Sequence, residues 1–218
     1  MSNESPLRIG LLLFPGFQAL DVFGPIDCLN ILSRTHPLTL SILSHTLDPV
    51  STKPPLTPTA LAQSVVPTHT FANAPELDVL LIPGGLGIRL LHSEAITSAV
   101  DFIRYVYPSL KHLITVCTGS GLVARAGVLD GRRATTNKRA FVEVTGWRGE
   151  VDWVARARWV VDGNIWTSSG VSAGIDVMLA WIGNVYGEGV AKEIADIMEY
   201  RQVEDGGDDP FAELYGLR

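Results

Sequence analysis

Cys117 stands between Leu113-Ile114-Thr115-Val116, an apolar run rich in β-branched residues, and Thr118-Gly119-Ser120-Gly121, a small glycine-punctuated run. The first reads as a buried parallel strand and the second opens a helix, about Gly119 to Ala126. A thiol at such a corner faces the helix N-terminus, whose free N–H groups and dipole favour the thiolate. A free cysteine has a pKa of about 8.5, so each unit of depression raises the thiolate fraction nearly tenfold until it saturates. The alternative is a buried structural cysteine. Two other loops contain residues that could work with a thiolate. Asp21 lies in the opening turn of a helix after Phe14-Pro15-Gly16-Phe17, and Gly84 and Gly85 follow Val79-Leu80-Leu81-Ile82-Pro83. Nucleophile, proton donor and an oxyanion site built from the inward amides of Gly84 and Gly85, with the Thr118 amide and hydroxyl beside the thiol, are the components of nucleophilic catalysis on a small electrophile.

Each candidate also has a plainer reading. Asp21 could only complement a helix dipole, and Gly84-Gly85 could be a tight turn, since it fits no dinucleotide fingerprint. Cys28 shares a helix face with Ile31 and Leu32, so it reads as packing. Ser168, Ser169 and Ser172 around Gly170 could line a polar pocket or cap a helix. Phe17, Asn137, Trp166 and Trp181 are aromatic or polar candidates for the pocket that the pattern does not place.

The elements that must position these groups alternate. Strands are expected at Leu7 to Phe14, Leu38 to Ser44, Val79 to Ile82, Leu113 to Val116 and Arg133 to Thr136, with helices from about Ala19 to Ser33 and from Ser93, read as a cap, to Tyr107. Asp48 to Thr70 is too rich in Pro and Thr for a long helix and is expected to hold a short hairpin or edge strands. Phe141 to Arg148 includes a helical turn or two, and Asp162-Gly163-Asn164 marks a hairpin between Arg156 to Val161 and Ile165 to Ser168. Beyond Gly170 the period becomes 3.6: Ile175, Met178, Leu179, Ile182, Val185 and Tyr186 form one stripe, and Val190, Ile194, Ile197 and Met198 a second after Gly187-Glu188-Gly189. This is an α/β pattern, an open and mostly parallel sheet sandwiched by helices in the flavodoxin-like manner, with ligands at the strand carboxyl ends. Residues 1–204 are expected to form a single domain, and 205–218 an acidic tail that is either loose or docked.

Composition narrows the function. The chain has 218 residues, a formal charge of −6 and only two cysteines, which suggests a reducing compartment such as the cytoplasm rather than a disulfide framework. Scattered Lys and Arg give no basic stripe for nucleic acid. No run approaches the ~20 apolar residues of a membrane span. His36, His45, His69, His92 and His112 lack metal spacing, so neither a metal nor a cofactor is expected.

With these residues in hand, the chain resembles the ThiJ/PfpI superfamily, related to class I glutamine amidotransferases, from about Leu7 to Tyr200. The resemblance is carried by Phe14-Pro15-Gly16-Phe17 with Leu20-Asp21-Val22-Phe23-Gly24-Pro25, by Asp78 to Gly85, by Val116-Cys117-Thr118-Gly119, by Gly131 to Thr136 and by Thr167 to Asp176. Aspartate at 21, where many members have glutamate, and Cys-Thr-Gly at the elbow look most like the isonitrile hydratase branch. The resemblance implies Cys117 as nucleophile, Asp21 as acid/base group, Thr118 as an orienting partner, a small-molecule substrate and a homodimer. One departure is plain: the family's Arg-Ala-Thr-Thr-His reads Arg133-Ala134-Thr135-Thr136-Asn137, and asparagine takes no proton at neutral pH. That counts against glyoxalase-like action on an α-oxoaldehyde, the first alternative. A second is a redox or stress-responsive protein oxidised at Cys117 without turnover. A transcription regulator is disfavoured, because no helical DNA-binding module follows before Arg218.

Overall fold

The computed structural model describes residues 7–55 and 57–217. In chain order its strands and α-helices are β1 (Leu7–Leu12), α1 (Ala19–Leu32), β2 (Leu38–Ser44), β3 (Val50–Ser51), β4 (Ser64–Val65), β5 (His69–Thr70), β6 (Val79–Ile82), α2 (Glu94–Val106), β7 (His112–Thr115), α3 (Gly119–Arg125), β8 (Arg133–Ala134), α4 (Phe141–Thr145), β9 (Asp152–Trp153), β10 (Trp159–Asp162), β11 (Ile165–Ser168), α5 (Ala173–Tyr186), α6 (Glu188–Ile197) and α7 (Pro210–Leu214). Seven strands form the main sheet in the order β10-β11-β7-β6-β1-β2-β5, parallel except for the β10–β11 hairpin. All four residues of β6, an apolar strand, and of β11, which ends in two buried hydroxyl residues, are buried, as strands covered on both faces should be.

The chain crosses to β2 on one side of β1 and then to β6 on the other, so right-handed crossovers place successive helices on opposite faces. α1, α5 and α6 pack together, and α2 packs with α3. The reversal between β1 and β6 opens a crevice at their carboxyl ends, the place where such sheets bind ligands.

Several expectations are refined. The Pro/Thr-rich stretch holds the β3–β4 hairpin and the edge strand β5. β8 pairs in parallel with β9 outside the main sheet. Ser93 precedes α2 without capping it by its side chain; its hydroxyl donates to the Leu90 carbonyl at 2.8 Å. Ser172 precedes α5 in the same way, and its oxygen accepts from Arg158 at 3.1 Å. Trp181 and Phe17 are core residues, 0% and 1% exposed.

The acidic tail is docked. Asp209 caps α7 through the Phe211 amide at 2.9 Å and forms a buried ion pair with Lys138 at 3.3 Å. Upstream, Asp176 in the first turn of α5 receives Arg158 Nε at 2.9 Å and Nη2 at 2.7 Å on one oxygen, and the Tyr200 hydroxyl and Val203 amide at 3.0 Å each on the other. This fully partnered carboxylate fastens the end of α6 to the start of α5. Removing one member of a buried pair leaves the other charge uncompensated, at a cost of about 3–5 kcal/mol. Asp176→Ala should therefore lower the urea midpoint of unfolding by an amount equivalent to several kcal/mol, while the exposed pair Lys192–Asp196 should be worth under about 1 kcal/mol.

Candidate active site

β7 delivers Cys117 into a tight corner, where its φ is +59°. A side chain in this left-handed conformation is strained by about 1–3 kcal/mol and persists only when its surroundings hold it. Here three hydrogen bonds do so: the Cys117 amide donates to the Ser169 carbonyl at 2.9 Å, and the Cys117 carbonyl accepts from Thr136 Oγ1 at 3.0 Å and Ser120 Oγ at 3.3 Å. The geometry is that of a strand-turn-helix nucleophile elbow. It turns the thiol, 6% exposed, into a cavity of 390 Å³.

Asp21 reaches the same corner from α1. Its carboxyl is fully buried, and Oδ2 accepts the Gly84 amide at 2.8 Å. Oδ1 has no hydrogen-bond partner among the described residues, and the Cys117 thiol acts on the carboxyl group as a donor that favours its charged form. Burial pushes the carboxyl up to about 7, against the opposing pull of the Gly84 amide and the Cys117 thiol. Burial, and then the charge of Asp21, push the thiol up to about 12. The thiolate expected from the helix N-terminus is therefore not the resting state, because desolvation outweighs the donors. Those donors are real: the amides of Val171 and Thr118 and the side chain of Asn137 all favour the anion.

Asn137 Nδ2 donates to Cys117 Sγ at 3.1 Å, while its Oδ1 accepts the Ala140 amide at 3.1 Å, which fixes the amide's orientation. It thus points into the site as a donor that cannot take a proton. The Gly84 amide is occupied by Asp21, so it is not the oxyanion donor expected from sequence. The Gly85 amide is likewise engaged, donating to Thr118 Oγ1 at 3.1 Å. Both glycines are required on steric grounds. A Cβ on Gly84 would lie 2.5 Å from Thr118 N and Oγ1, and Gly85 has φ +145° with Gly16 O 2.4 Å from its would-be Cβ.

Thr118, Gly85 and Asn137 line the Cys117 cavity, whereas Phe17 does not. Ser169 serves through its backbone carbonyl and lines an adjoining cavity of 330 Å³. Val171, with φ +43°, was not singled out from sequence; the serine- and glycine-rich run around it was the available signal. Among the described residues no cluster of His, Cys, Asp or Glu could hold a metal ion, and no helix is long and apolar enough to cross a membrane.

The sequence pattern of the DJ-1/PfpI family matches residues 7–184. The chain belongs to the DJ-1/PfpI family. It is 34% identical over 194 residues to the isonitrile hydratase of Pseudomonas putida, covering 89% of this chain and 78% of that protein. It is 28% identical over 206 residues to the HTH-type transcriptional regulator GbdR of Pseudomonas aeruginosa, covering 94% of this chain but only 54% of the regulator. A solved ThiJ/PfpI family protein from Pseudomonas syringae superposes with a TM-score of 0.74 at 28% identity, over 95% of this chain and 78% of that one.

The raised carboxyl gives a pH dependence whose sign is fixed. Asp21 moves from an ordinary 3.8 to about 7 on folding, so the fold binds a proton that the unfolded chain has already released. Its contribution to stability is complete below about pH 3.8 and is lost as pH rises toward 7. Urea unfolding measured across that window should show wild-type stability falling relative to Asp21→Asn, which has no proton to lose there.

Proposed function

We propose that this DJ-1/PfpI protein is an isonitrile hydratase, with Cys117 as nucleophile, Asp21 as the group that carries the proton, and Thr118 as the residue that orients both. The observation supporting this most is the buried, partly unpartnered carboxyl of Asp21 beside the thiol, with no histidine base touching Cys117 among the described residues. An isonitrile carbon must gain a nucleophile and a proton at the same atom, and one carboxyl group alternating between acid and base suits that requirement.

With one proton shared by the pair, the thiolate/carboxylic-acid form is the reactive one. The thiolate attacks the terminal carbon of R–N≡C, and Asp21 delivers its proton to that carbon, giving the thioimidate R–N=CH–S–Cys117. Water adds to the carbon as Asp21 takes one of its protons and passes it to nitrogen. The tetrahedral R–NH–CH(OH)–S–Cys117 then collapses: the C–S bond breaks with its electron pair on sulfur, and the hydroxyl proton returns to Asp21. The product is R–NH–CHO, the net change is addition of water, and the site regains its starting proton. The Val171 and Thr118 amides and Asn137 hold the sulfur anion at both ends of the cycle. We carry the homodimer and the cytoplasmic location with this reading.

Purified protein should convert an aryl isonitrile to its formamide. Cys117→Ala should abolish turnover, and Asp21→Asn should lower kcat by at least about a hundredfold, the range of lost acid/base catalysis. Because Asp21→Asn also removes the charge that raises the thiol, Cys117 should then react faster with iodoacetamide near pH 8. Turnover surviving in Cys117→Ala would refute the mechanism. Ready peroxide oxidation of Cys117 with no isonitrile or α-oxoaldehyde turned over would favour the redox reading.

A further inference from the structure

The walls around Cys117 carry an unbalanced charge, in a chain whose net charge is −6. Among the described residues, two arginines, Arg89 and Arg139, line its 390 Å³ cavity, and no carboxylate does. Asp21 lies behind the thiol, fully buried and outside that lining. Arg89 is matched: Glu143 accepts from its Nε at 2.9 Å and its Nη2 at 2.6 Å. Arg139 is exposed, and among the described residues no carboxylate lies within ion-pair distance of it. The adjoining 330 Å³ cavity shares Asn137, Arg139 and Val171 with the first, and again none of the described residues lining it is acidic. Its other cation, Lys138, is buried and matched by Asp209. Two small cavities thus meet at one uncompensated guanidinium, beside the donor that holds the Cys117 sulfur.

A guanidinium offers a planar fork of N–H donors that fits a carboxylate in bidentate fashion. A phosphate monoester, with nearly two charges, would call for more than the single unmatched cation present here. The remaining wall, with Leu86, Ala140 and Val171, suits a short carbon chain. We propose that the substrate acted on by Cys117 bears a carboxylate, and that Arg139 binds it. Resting on the hydratase reading, this makes the substrate class an isonitrile carrying a carboxylate on its carbon chain. Isocyanoacetate is the smallest example, and hydration would convert it to an N-formyl amino acid.

Two experiments separate this inference from the reading beneath it. In the first, kcat/KM is measured for isocyanoacetate and for its neutral ethyl ester. The acid should be preferred by wild type, and Arg139→Gln should cut the acid-to-ester ratio by about tenfold, the size expected for one lost charge-assisted hydrogen bond. Arg139→Lys should restore part of it. In the second, which needs no turnover, Cys117 is alkylated with iodoacetate or iodoacetamide, and Arg139→Gln should lower the ratio of the two rates by a similar factor. Ratios unchanged by Arg139→Gln in both experiments overturn the carboxylate site. A shifted alkylation ratio in a protein that turns over neither isonitrile upholds the site and overturns the hydratase reading.

Discussion

Two acids, the Asp21 carboxyl and the Cys117 thiol, occupy one buried corner, and the low dielectric there does not tolerate both as anions. Burial raises the cost of ionising both, and the charge of Asp21 raises that of the thiol further, while the thiol as a donor favours the carboxylate. The pair therefore holds one proton over a wide pH range, on sulfur or on oxygen. When the proton sits on Asp21 the repulsion disappears, and three donors remain to stabilise the sulfur anion. The arrangement resembles two carboxylates sharing a proton more than it does a cysteine–histidine triad, in which the base stores the proton as a cation.

The rest of the chain holds that corner in place. Parallel strands bring the loops after β1, β6 and β7 together at one edge of the sheet, and each contributes one part: Asp21, the Gly84 amide that fixes it, and the strained Cys117. The return segment after β11 closes the other side with the Ser169 carbonyl and the Val171 amide. That segment is tied down by Arg158, which reaches both Ser172 and Asp176. The Thr135-Thr136-Asn137 loop is secured by buried Lys138, whose ammonium donates to Thr135 Oγ1 at 2.6 Å and pairs with Asp209 of the tail. The acidic tail, for which sequence leaves loose and docked both open, thus completes the support beneath the site.

Much of this was legible in the sequence, for identifiable reasons. Cys117 stood out because a β-branched apolar run followed by small residues can hardly be other than a strand turning into a helix, and the strand-helix alternation placed Asp21 and Gly84 at the same edge. The direction of the thiol's pKa was not legible: the helix N-terminus is a local feature, whereas burial depends on the whole fold and is the larger effect here. Nor could sequence show that the Gly84 amide serves Asp21 rather than substrate. Val171 escaped because its contribution is a backbone N–H in a left-handed conformation, which a β-branched residue gives no sign of adopting. Asn137 was seen as a missing histidine; the structure adds that its amide replaces a base with a donor to sulfur.

The chemistry of this corner turns on Asp21 keeping its proton near neutrality beside Cys117. Carbon-13 NMR of aspartate-carboxyl-labelled protein, with the Asp21 signal assigned by its disappearance in Asp21→Asn, measures this directly. The expected result is a carboxyl titrating close to pH 7, with its midpoint shifted when Cys117 is replaced by Ala. An Asp21 signal that titrates near its ordinary value of 3.8, unaffected by Cys117→Ala, would contradict it.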